Sequence, residues 1–298
     1  MAQIIMCCAQ KGGCAKTVTV HNLAYALSRM GKRVLAVDFD TQANLTTCFG
    51  ISDPDTVPVT IAELMEAQVK GLDAPAKAEY ILHCGGADLI ASGSFLSAVS
   101  DSMHLEMGSE RFLANILDTL RSDYDYIIVD TGPKLDNLSI NALVAADQLI
   151  IPVNPQFLST SGLDKLHGTI RKIQRRLNPN ISIAGILLTM CETRTNLCKI
   201  ICQQIREEYE TSIPVFATSI PMTVKVGEAV YYSRTVMEYA PKCSAAVAYR
   251  QFARELDNQL KRVVPIHLHK LVLPQTEERR YALYENGRSQ KIYRPGCC

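Results

Sequence analysis

Apolar residues occur along this chain in short runs that alternate with segments of helical periodicity. The runs predict strands at Gln3–Ala9, Arg33–Asp38, Asp88–Ala91, Tyr126–Asp130, Gln148–Val153 and Ile183–Thr189. The periodic segments predict helices at Thr17–Met30, Ile61–Val69, Glu110–Leu120, Leu163–Leu177, Asn196–Tyr209 and Ala245–Val264. Strands that alternate with helices in this way predict an α/β fold, with a mostly parallel twisted sheet flanked by helices on both faces. The carboxyl ends of the strands then lie along one edge, where ligands bind.

The alternation ends near Pro265, which stops the last predicted helix. We therefore expect one large domain over residues 1–264. Residues 265–298 show no clear periodicity, and we interpret them as a tail whose order the sequence does not determine.

The net charge of the 298-residue chain is +1, so binding to nucleic acid would have to come from a local basic patch. The sequence contains no run of eighteen apolar residues, so it does not predict a transmembrane helix. The apolar N-terminal segment is short and lacks a positively charged leader, which favours a buried strand over a signal peptide.

The chain has eleven cysteines at irregular spacings. Cys198 and Cys202 are four residues apart on a predicted helix, where they would share a face, and Cys191 precedes them. No second ligand pair at zinc spacing accompanies them. The spacing favours reduced cysteines that act as small apolar side chains in a cytosolic protein.

The first predicted strand is followed by a glycine-containing loop, QKGGCAKT over residues 10–17, and then by a helix. Such a loop presents backbone N–H groups to phosphate oxygens, and the helix N-terminus adds partial positive charge. Lys16 would reach the β- and γ-phosphates, and the Thr17 hydroxyl would bind Mg²⁺. The pattern G-x-x-x-x-G-K-[ST] is not met, because Ala15 replaces its last glycine. The variant K-G-G-x-x-K-[ST] is met in full.

This variant loop resembles the deviant Walker A loop of the ParA/MinD ATPases, a class of P-loop NTPases. The resemblance implies that the nucleotide is bound by Lys11, Gly12, Gly13, Cys14, Ala15, Lys16, Thr17 and Val18. It also implies that Lys11 reaches across a dimer interface to the partner's ATP. There it would act with Lys16 on charge developing at the phosphates.

Two residues of the loop depart from the family pattern. Ala15 replaces a glycine, and its methyl group would crowd the phosphates if the residue needed a positive φ. Val18 replaces a threonine that would donate to the α-phosphate, a loss of about 1 kcal/mol. Neither change abolishes binding, but both leave open a scaffold that binds ATP without turnover.

Two acidic strand ends accompany the loop. The segment VDFDTQAN over residues 37–44 is similar to the ParA stretch D-x-D-P-Q-G-N, with Thr41 and Ala43 in place of proline and glycine. The similarity implies that Asp40 positions or activates the attacking water and that Asp38 supports Mg²⁺ and the loop. The segment YDYIIVDTGP over residues 124–133 resembles the Walker B strand, which implies that Asp130 holds Mg²⁺ through water.

Two later segments extend the resemblance, MCETRTNL over residues 190–197 and IPMTVKVGEA over residues 220–229. They imply an adenine pocket lined by Pro221, Met222 and Thr223. The absence of an N-K-x-D motif favours ATP over GTP. The resemblance also implies that Arg194 and Lys225 bind DNA in the ATP dimer. The helix over residues 163–177 adds further basic side chains, Lys165, Arg171, Lys172, Arg175 and Arg176.

The resemblance to the ParA/Soj type implies a partition ATPase with ATP and Mg²⁺ as cofactors. It implies a homodimer formed around ATP, non-specific binding to DNA phosphates, and slow hydrolysis stimulated by a ParB-like centromere-binding protein. The expected location is the cytoplasm, on the nucleoid, with no membrane partner.

Two other classes share the loop. A MinD-like membrane-associated ATPase would need a C-terminal amphipathic helix, and Pro274 interrupts the stretch after Pro265. An iron protein of the nitrogenase type would need cysteines that bind an iron–sulfur cluster between subunits. No cysteine follows the Walker B segment until Cys191.

Overall fold

The computed structural model describes residues 1–9, 12–157, 160–192, 194–209 and 212–262. Lys11 and the predicted tail over residues 265–298 lie outside the described residues. The domain boundary at residue 264 therefore stays a prediction.

The core of the fold is an eight-stranded sheet. Its strands are β1 (Gln3–Cys7), β2 (Val34–Phe39), β3 (Leu82–Cys84), β4 (Ala87–Ile90), β5 (Tyr126–Thr131), β6 (Gln148–Val153), β7 (Ser182–Cys191) and β8 (Val215–Pro221). Their order across the sheet is β3-β4-β2-β5-β1-β6-β7-β8. Only the pairing of β3 with β4 is antiparallel, so the predicted mostly parallel sheet is confirmed.

Twelve α-helices connect or follow these strands in the described part of the chain. They are α1 (Lys16–Ser28), α2 (Asn44–Cys48), α3 (Ile61–Lys70), α4 (Lys77–Tyr80), α5 (Phe95–Ser102), α6 (Phe112–Asp118), α7 (Asn137–Ala145), α8 (Thr160–Arg176), α9 (Asn196–Tyr209), α10 (Val224–Tyr231), α11 (Val236–Tyr239) and α12 (Ser244–Arg262).

The sheet is buried on both faces, because alternate residues of each central strand enter two separate apolar clusters. On β1, Ile4 and Met6 pack on the face covered by α3 and α5 to α9, whereas Ile5 and Cys7 pack on the opposite face. That second face is covered by α1 and α10 to α12. This two-sided burial explains why the strands read as continuous apolar runs.

All six predicted strands and all six predicted helices are confirmed, with ends that differ by a few residues. The pattern missed the strands β3 and β8. Strand β3 has three residues, and β8 is an edge strand whose residues are mostly not buried, so neither forms an apolar run. The short helices α2, α4, α10 and α11 were also missed, together with α5 and α7.

In the ranges described above, no helix combines the length and apolar character that crossing a bilayer requires.

His21 on α1 makes the stability of the fold depend on pH. Its ring is buried against Phe49, with ring centroids 4.8 Å apart, and burial lowers its pKa to about 4, although Glu238 opposes the shift. The unfolded chain binds a proton at His21 near pH 6.5, whereas the folded protein does not until about pH 4. The stability that His21 contributes is therefore present above pH 6.5 and lost as the pH falls toward 4.

We expect wild type to lose about 2 kcal/mol more unfolding free energy than His21→Gln between pH 7.5 and pH 5. Urea unfolding at the two pH values measures this difference. His104→Gln, at an exposed histidine, is the control and should behave as wild type. Equal losses in wild type and His21→Gln would show that His21 does not titrate in this way.

Candidate functional site

The loop between β1 and α1 lies at the carboxyl edge of the sheet. Gly13 and Ala15 both have left-handed backbone conformations, with φ of 76° and 60°. Lys16 opens the helix and is 8% exposed. The Thr189 hydroxyl on β7 donates to the Cys14 carbonyl at 3.1 Å, which fixes the loop to a distant strand. The loop thus leads directly into a helix N-terminus, a position that favours bound anions, and its contacts with phosphate stay a prediction.

Ala15 adopts a positive φ of 60°, which is the condition under which its methyl group is expected to crowd the phosphates; the crowding itself stays a prediction. A left-handed conformation at a residue with a Cβ costs roughly 1–2 kcal/mol, a cost that glycine avoids. Val18, the other departure, is half-buried and packs on the cluster covered by α1 and α12.

We expect Ala15→Gly to raise the free energy of unfolding by about 1 kcal/mol, because glycine relieves the left-handed strain. Denaturant unfolding of the nucleotide-free protein measures this. The same substitution at Ala98, an exposed residue inside α5, should lower stability by about 1 kcal/mol. A loss of stability at both positions would contradict the strain at Ala15.

Two carboxylates meet at the centre of the same edge. Strands β2, β5 and β1 are neighbours, and their register places Asp38 beside Asp130 and Asp130 beside Cys7. Both aspartates are 0% exposed. Two buried like charges on adjacent strands oppose each other's ionisation, so the pair requires compensating positive charge.

Asp130 is only partly compensated, by the nearby positive charge of Lys16. Both of its carboxylate oxygens are buried without a hydrogen-bond partner among the described residues. Burial and then Asp38 raise the pKa of Asp130 to about 8, while the nearby Thr17 hydroxyl and Lys16 oppose the shift. Thr17 is thus close to this carboxylate without meeting hydrogen-bond geometry. An orphaned carboxylate beside a threonine hydroxyl suits Mg²⁺, which prefers oxygen ligands and retains water.

Asp38 has a different environment from Asp130. One of its oxygens accepts from the backbone N–H and the hydroxyl of Thr46, at 2.7 and 2.8 Å, and the other accepts from the Asp40 N–H at 3.3 Å. Burial raises its pKa to about 6, and these bonds oppose the shift. Asp38 therefore anchors the turn after β2, and its predicted support of Mg²⁺ stays a prediction.

Asp40 lies on the turn that Asp38 anchors. Its backbone carbonyl accepts from the Ser92 hydroxyl at 2.8 Å, and its side chain accepts from the Gln42 N–H. A Cβ built on Gly132, just after β5, would lie 3.3 Å from an Asp40 oxygen. The half-buried carboxylate thus lies beside the end of the strand that carries Asp130. Ala43, where glycine was expected, is also left-handed, with φ of 49°.

The predicted adenine-binding segment lies at the ends of β7 and β8. Pro221 ends β8, and the Met222 N–H donates to the Cys191 carbonyl at 3.0 Å. The Thr223 side chain caps α10 by accepting from the Lys225 N–H. Met222 is 55% exposed, so its side chain is available to a ligand at this edge.

The two predicted DNA-binding residues have different surroundings. Arg194 is exposed in the turn before α9, whereas Lys225 forms an ion pair with Glu228 at 2.7 Å and lies over the Tyr239 ring. On α8, Lys172, Arg175 and Arg176 are exposed, and the Lys165 side chain lies outside the described residues.

Sequence reasoning missed the supporting hydroxyls Thr46, Ser92 and Thr189. Two of them end or follow predicted apolar strands, and a polar residue at that position is a signal that could have identified them. Thr46 has no such signal, since it becomes a partner of Asp38 only through the fold of the turn.

A family model described as an AAA domain matches residues 2–183. The chain is 34% identical to the sporulation initiation inhibitor protein Soj of Bacillus subtilis, an alignment that covers 86% of this chain and 98% of Soj. It is 32% identical to the chromosome partitioning protein ParA of Caulobacter vibrioides, over 83% of this chain and 91% of that protein.

A solved structure shows the same fold at similar identity. The cobyrinic acid a,c-diamide synthase of Mycobacterium smegmatis, crystallised with an ATP analog and magnesium, superposes with a TM-score of 0.75 at 30% identity. The match covers 88% of this chain and 97% of that chain.

Proposed function

This chain belongs to the ParA/Soj-type P-loop ATPases, and on that premise we propose that it is a DNA-partition ATPase switched by its nucleotide. Its ATPase domain spans residues 1–264. Two copies dimerise around ATP and Mg²⁺, the dimer binds DNA without sequence preference, and hydrolysis releases it. A ParB-like centromere-binding protein stimulates hydrolysis, and the protein acts in the cytoplasm on the nucleoid.

The observation that supports this most strongly is the orphaned carboxylate of Asp130 beside the phosphate-binding loop. A buried carboxylate without a partner is costly, and it becomes favourable when a cation binds next to it. A nucleotide bound at the loop with its Mg²⁺ supplies that cation. The solved relative from Mycobacterium smegmatis binds an ATP analog and magnesium.

Different residues of this chain have different roles in ATP hydrolysis. Lys16 and the loop N–H groups bind the phosphates, and Thr17 and Asp130 would hold the metal ion. When bound, Mg²⁺ would supply positive charge that stabilises the charged phosphates. Asp40 orients the attacking water and accepts its proton, from a position that its bonds to Gln42 and Ser92 hold. In the dimer, Lys11 of each subunit approaches the partner's phosphates.

Exposed apolar side chains support the dimer. They lie on the first turns of α9 and on the segment from the end of β8 through α10, and they are Leu197, Ile200, Met222, Val224, Tyr231 and Tyr232. These segments follow β7 and β8 at the edge that carries the loop. Apolar side chains gathered at one edge are typical of an interaction surface.

We expect Arg194→Ala to weaken DNA binding equally across sequences. A plot of the logarithm of the DNA-binding constant against the logarithm of the salt concentration should become shallower by about 1 in slope, because one phosphate contact is removed. Lys225→Ala should have a similar effect, since Lys225 reaches DNA by leaving Glu228. Lys70→Ala, on α3 and paired with Glu66, is the control. An unchanged slope in both variants would refute the proposed DNA surface.

The function is tested by DNA binding with ADP, with ATP and with a slowly hydrolysed ATP analogue at one salt concentration. We expect tight binding with the analogue, intermediate binding with ATP and weak binding with ADP. Light scattering on the same samples should show dimers with the analogue and monomers with ADP. Binding that is equal in the three nucleotide states would exclude a nucleotide switch.

A MinD-like membrane-associated ATPase is the second candidate. It is favoured only by the shared loop, and the stretch after Pro265 that would carry its amphipathic helix lies outside the described residues. Co-sedimentation with liposomes and with DNA in the presence of ATP separates the two candidates.

A further inference from the structure

Three thiols that are scattered in the sequence meet at one point of the fold. The sulfur atoms of Cys191, Cys198 and Cys202 all lie within 4.8 Å of one another. The nucleotide mechanism uses none of them. Every described cysteine is free, so no disulfide among the described residues competes for these thiols.

Two separate elements hold the cluster in place. Cys191 is the last residue of β7, and its carbonyl is bonded to the Met222 N–H after β8. Cys198 lies in the first turn of α9, where its N–H donates to the Thr195 hydroxyl at 3.3 Å. Cys202 follows one helical turn later, so the two helical thiols share a face. The thiols are therefore brought together before any ligand binds.

The spacing of the thiols fits a metal ion. The Sγ atoms of Cys198 and Cys202 are 3.8 Å apart. Two thiolates bound to one Zn²⁺ at about 2.3 Å in tetrahedral geometry are separated by about 3.8 Å. The third sulfur, Cys191 Sγ, lies within 4.8 Å of both. Three thiolates are a donor set that selects zinc and other soft metal ions over Mg²⁺.

The cluster can be reached from solvent. Burial raises the pKa of the Cys191 and Cys202 thiols, although the Arg206 guanidinium opposes the shift at Cys202, so a metal ion must displace their protons when it binds. Cys191 and Cys198 are buried, whereas Cys202 is only half-buried and leaves a route for an ion.

We propose that Cys191, Cys198 and Cys202 form a binding site for a thiophilic divalent metal ion of the Zn²⁺ type, built from thiols that the nucleotide mechanism does not use. The three thiols lose their protons to solvent and supply three ligands. Water completes the tetrahedron, as in zinc sites with an open position. The bound ion ties the end of β7 to the first two turns of α9.

The test uses the full-length reduced chain with Cys297 and Cys298 replaced by serine, because adjacent terminal thiols can bind metal themselves. Titration with Co²⁺ should give thiolate charge-transfer absorption that saturates at one ion per chain, and Zn²⁺ should displace it. Cys191→Ser, Cys198→Ser and Cys202→Ser should each weaken binding on the order of 100-fold, and Cys84→Ser should not change it.

Thermal unfolding provides a readout that is independent of ATP and DNA. Zn²⁺ at about 100 times its Kd should raise the Tm of the parent by about 5 °C and leave Cys202→Ser unchanged. Cys202 is the half-buried member, and circular dichroism verifies that this variant folds. Absence of thiolate absorption in the parent, or equal Co²⁺ affinity in the parent and Cys202→Ser, would overturn the proposal.

Discussion

Replacing Lys16 with alanine is expected to abolish ATP binding. Lys16 is almost fully buried at the start of α1 and carries positive charge close to Asp130. Its removal takes away the cation that is expected to contact the phosphates, and it leaves the buried carboxylate of Asp130 without the positive charge of Lys16. Breaking a buried charge interaction costs about 3–5 kcal/mol, so ATP affinity should fall on the order of 100-fold or more.

Calorimetric titration with ATP and Mg²⁺ measures this loss. The control is Lys70→Ala, which removes a lysine of the same length from an exposed ion pair on α3 and should bind ATP as wild type does. Circular dichroism of Lys16→Ala shows whether the fold is kept. If folded Lys16→Ala protein binds ATP with an affinity within a few-fold of wild type, Lys16 does not contribute to the ATP site.

Replacing Asp40 with alanine is expected to stop hydrolysis while ATP binding continues. Asp40 is half-buried beside Gly132, at the end of the strand that carries Asp130, and it contributes no ligand in the proposed metal site. Loss of a residue that orients water and accepts its proton slows a reaction by about 10²–10⁴-fold. The ATP dimer then persists, so DNA binding in ATP should match that in the slowly hydrolysed analogue.

Phosphate release and DNA binding, measured on the same Asp40→Ala sample, check both parts of this expectation. Asp101→Ala, at an exposed carboxylate on α5, serves as the control and should hydrolyse ATP normally. If Asp40→Ala hydrolyses ATP at the normal rate, a group other than Asp40 orients the attacking water. Lost ATP binding would instead show that Asp40 holds the nucleotide.

The fold was predictable because a parallel sheet covered on both faces forces each central strand to be apolar throughout. Strand β5, for example, is buried at every position and was predicted almost to its ends. Strand β8 was missed because an edge strand has only one neighbour and keeps polar positions. The short helices were missed because too few residues repeat for a periodic signal.

The parts of the candidate site that are formed by residues close together in the sequence were predictable. The loop over residues 10–17 and the acidic ends of two strands are contiguous patterns, and parallel strands bring their carboxyl ends to one edge. The neighbours of Asp38 were not predictable. Thr46 binds it because α2 begins in the turn after β2, and Ser92 reaches that turn from β4, the next strand in the sheet.

By itself, the sequence determined the class of fold and the phosphate-binding loop, because both depend on patterns within a few residues. Only the tertiary structure decided that Ala15 has a left-handed backbone conformation and that Cys191 lies beside the two thiols of α9. It also decided that the Asp130 carboxylate has no hydrogen-bond partner among the described residues, whereas the Asp38 carboxylate accepts hydrogen bonds. The physical reason is that strand order and packing set contacts between distant residues and fix the backbone of connecting loops. Local periodicity carries no information about either.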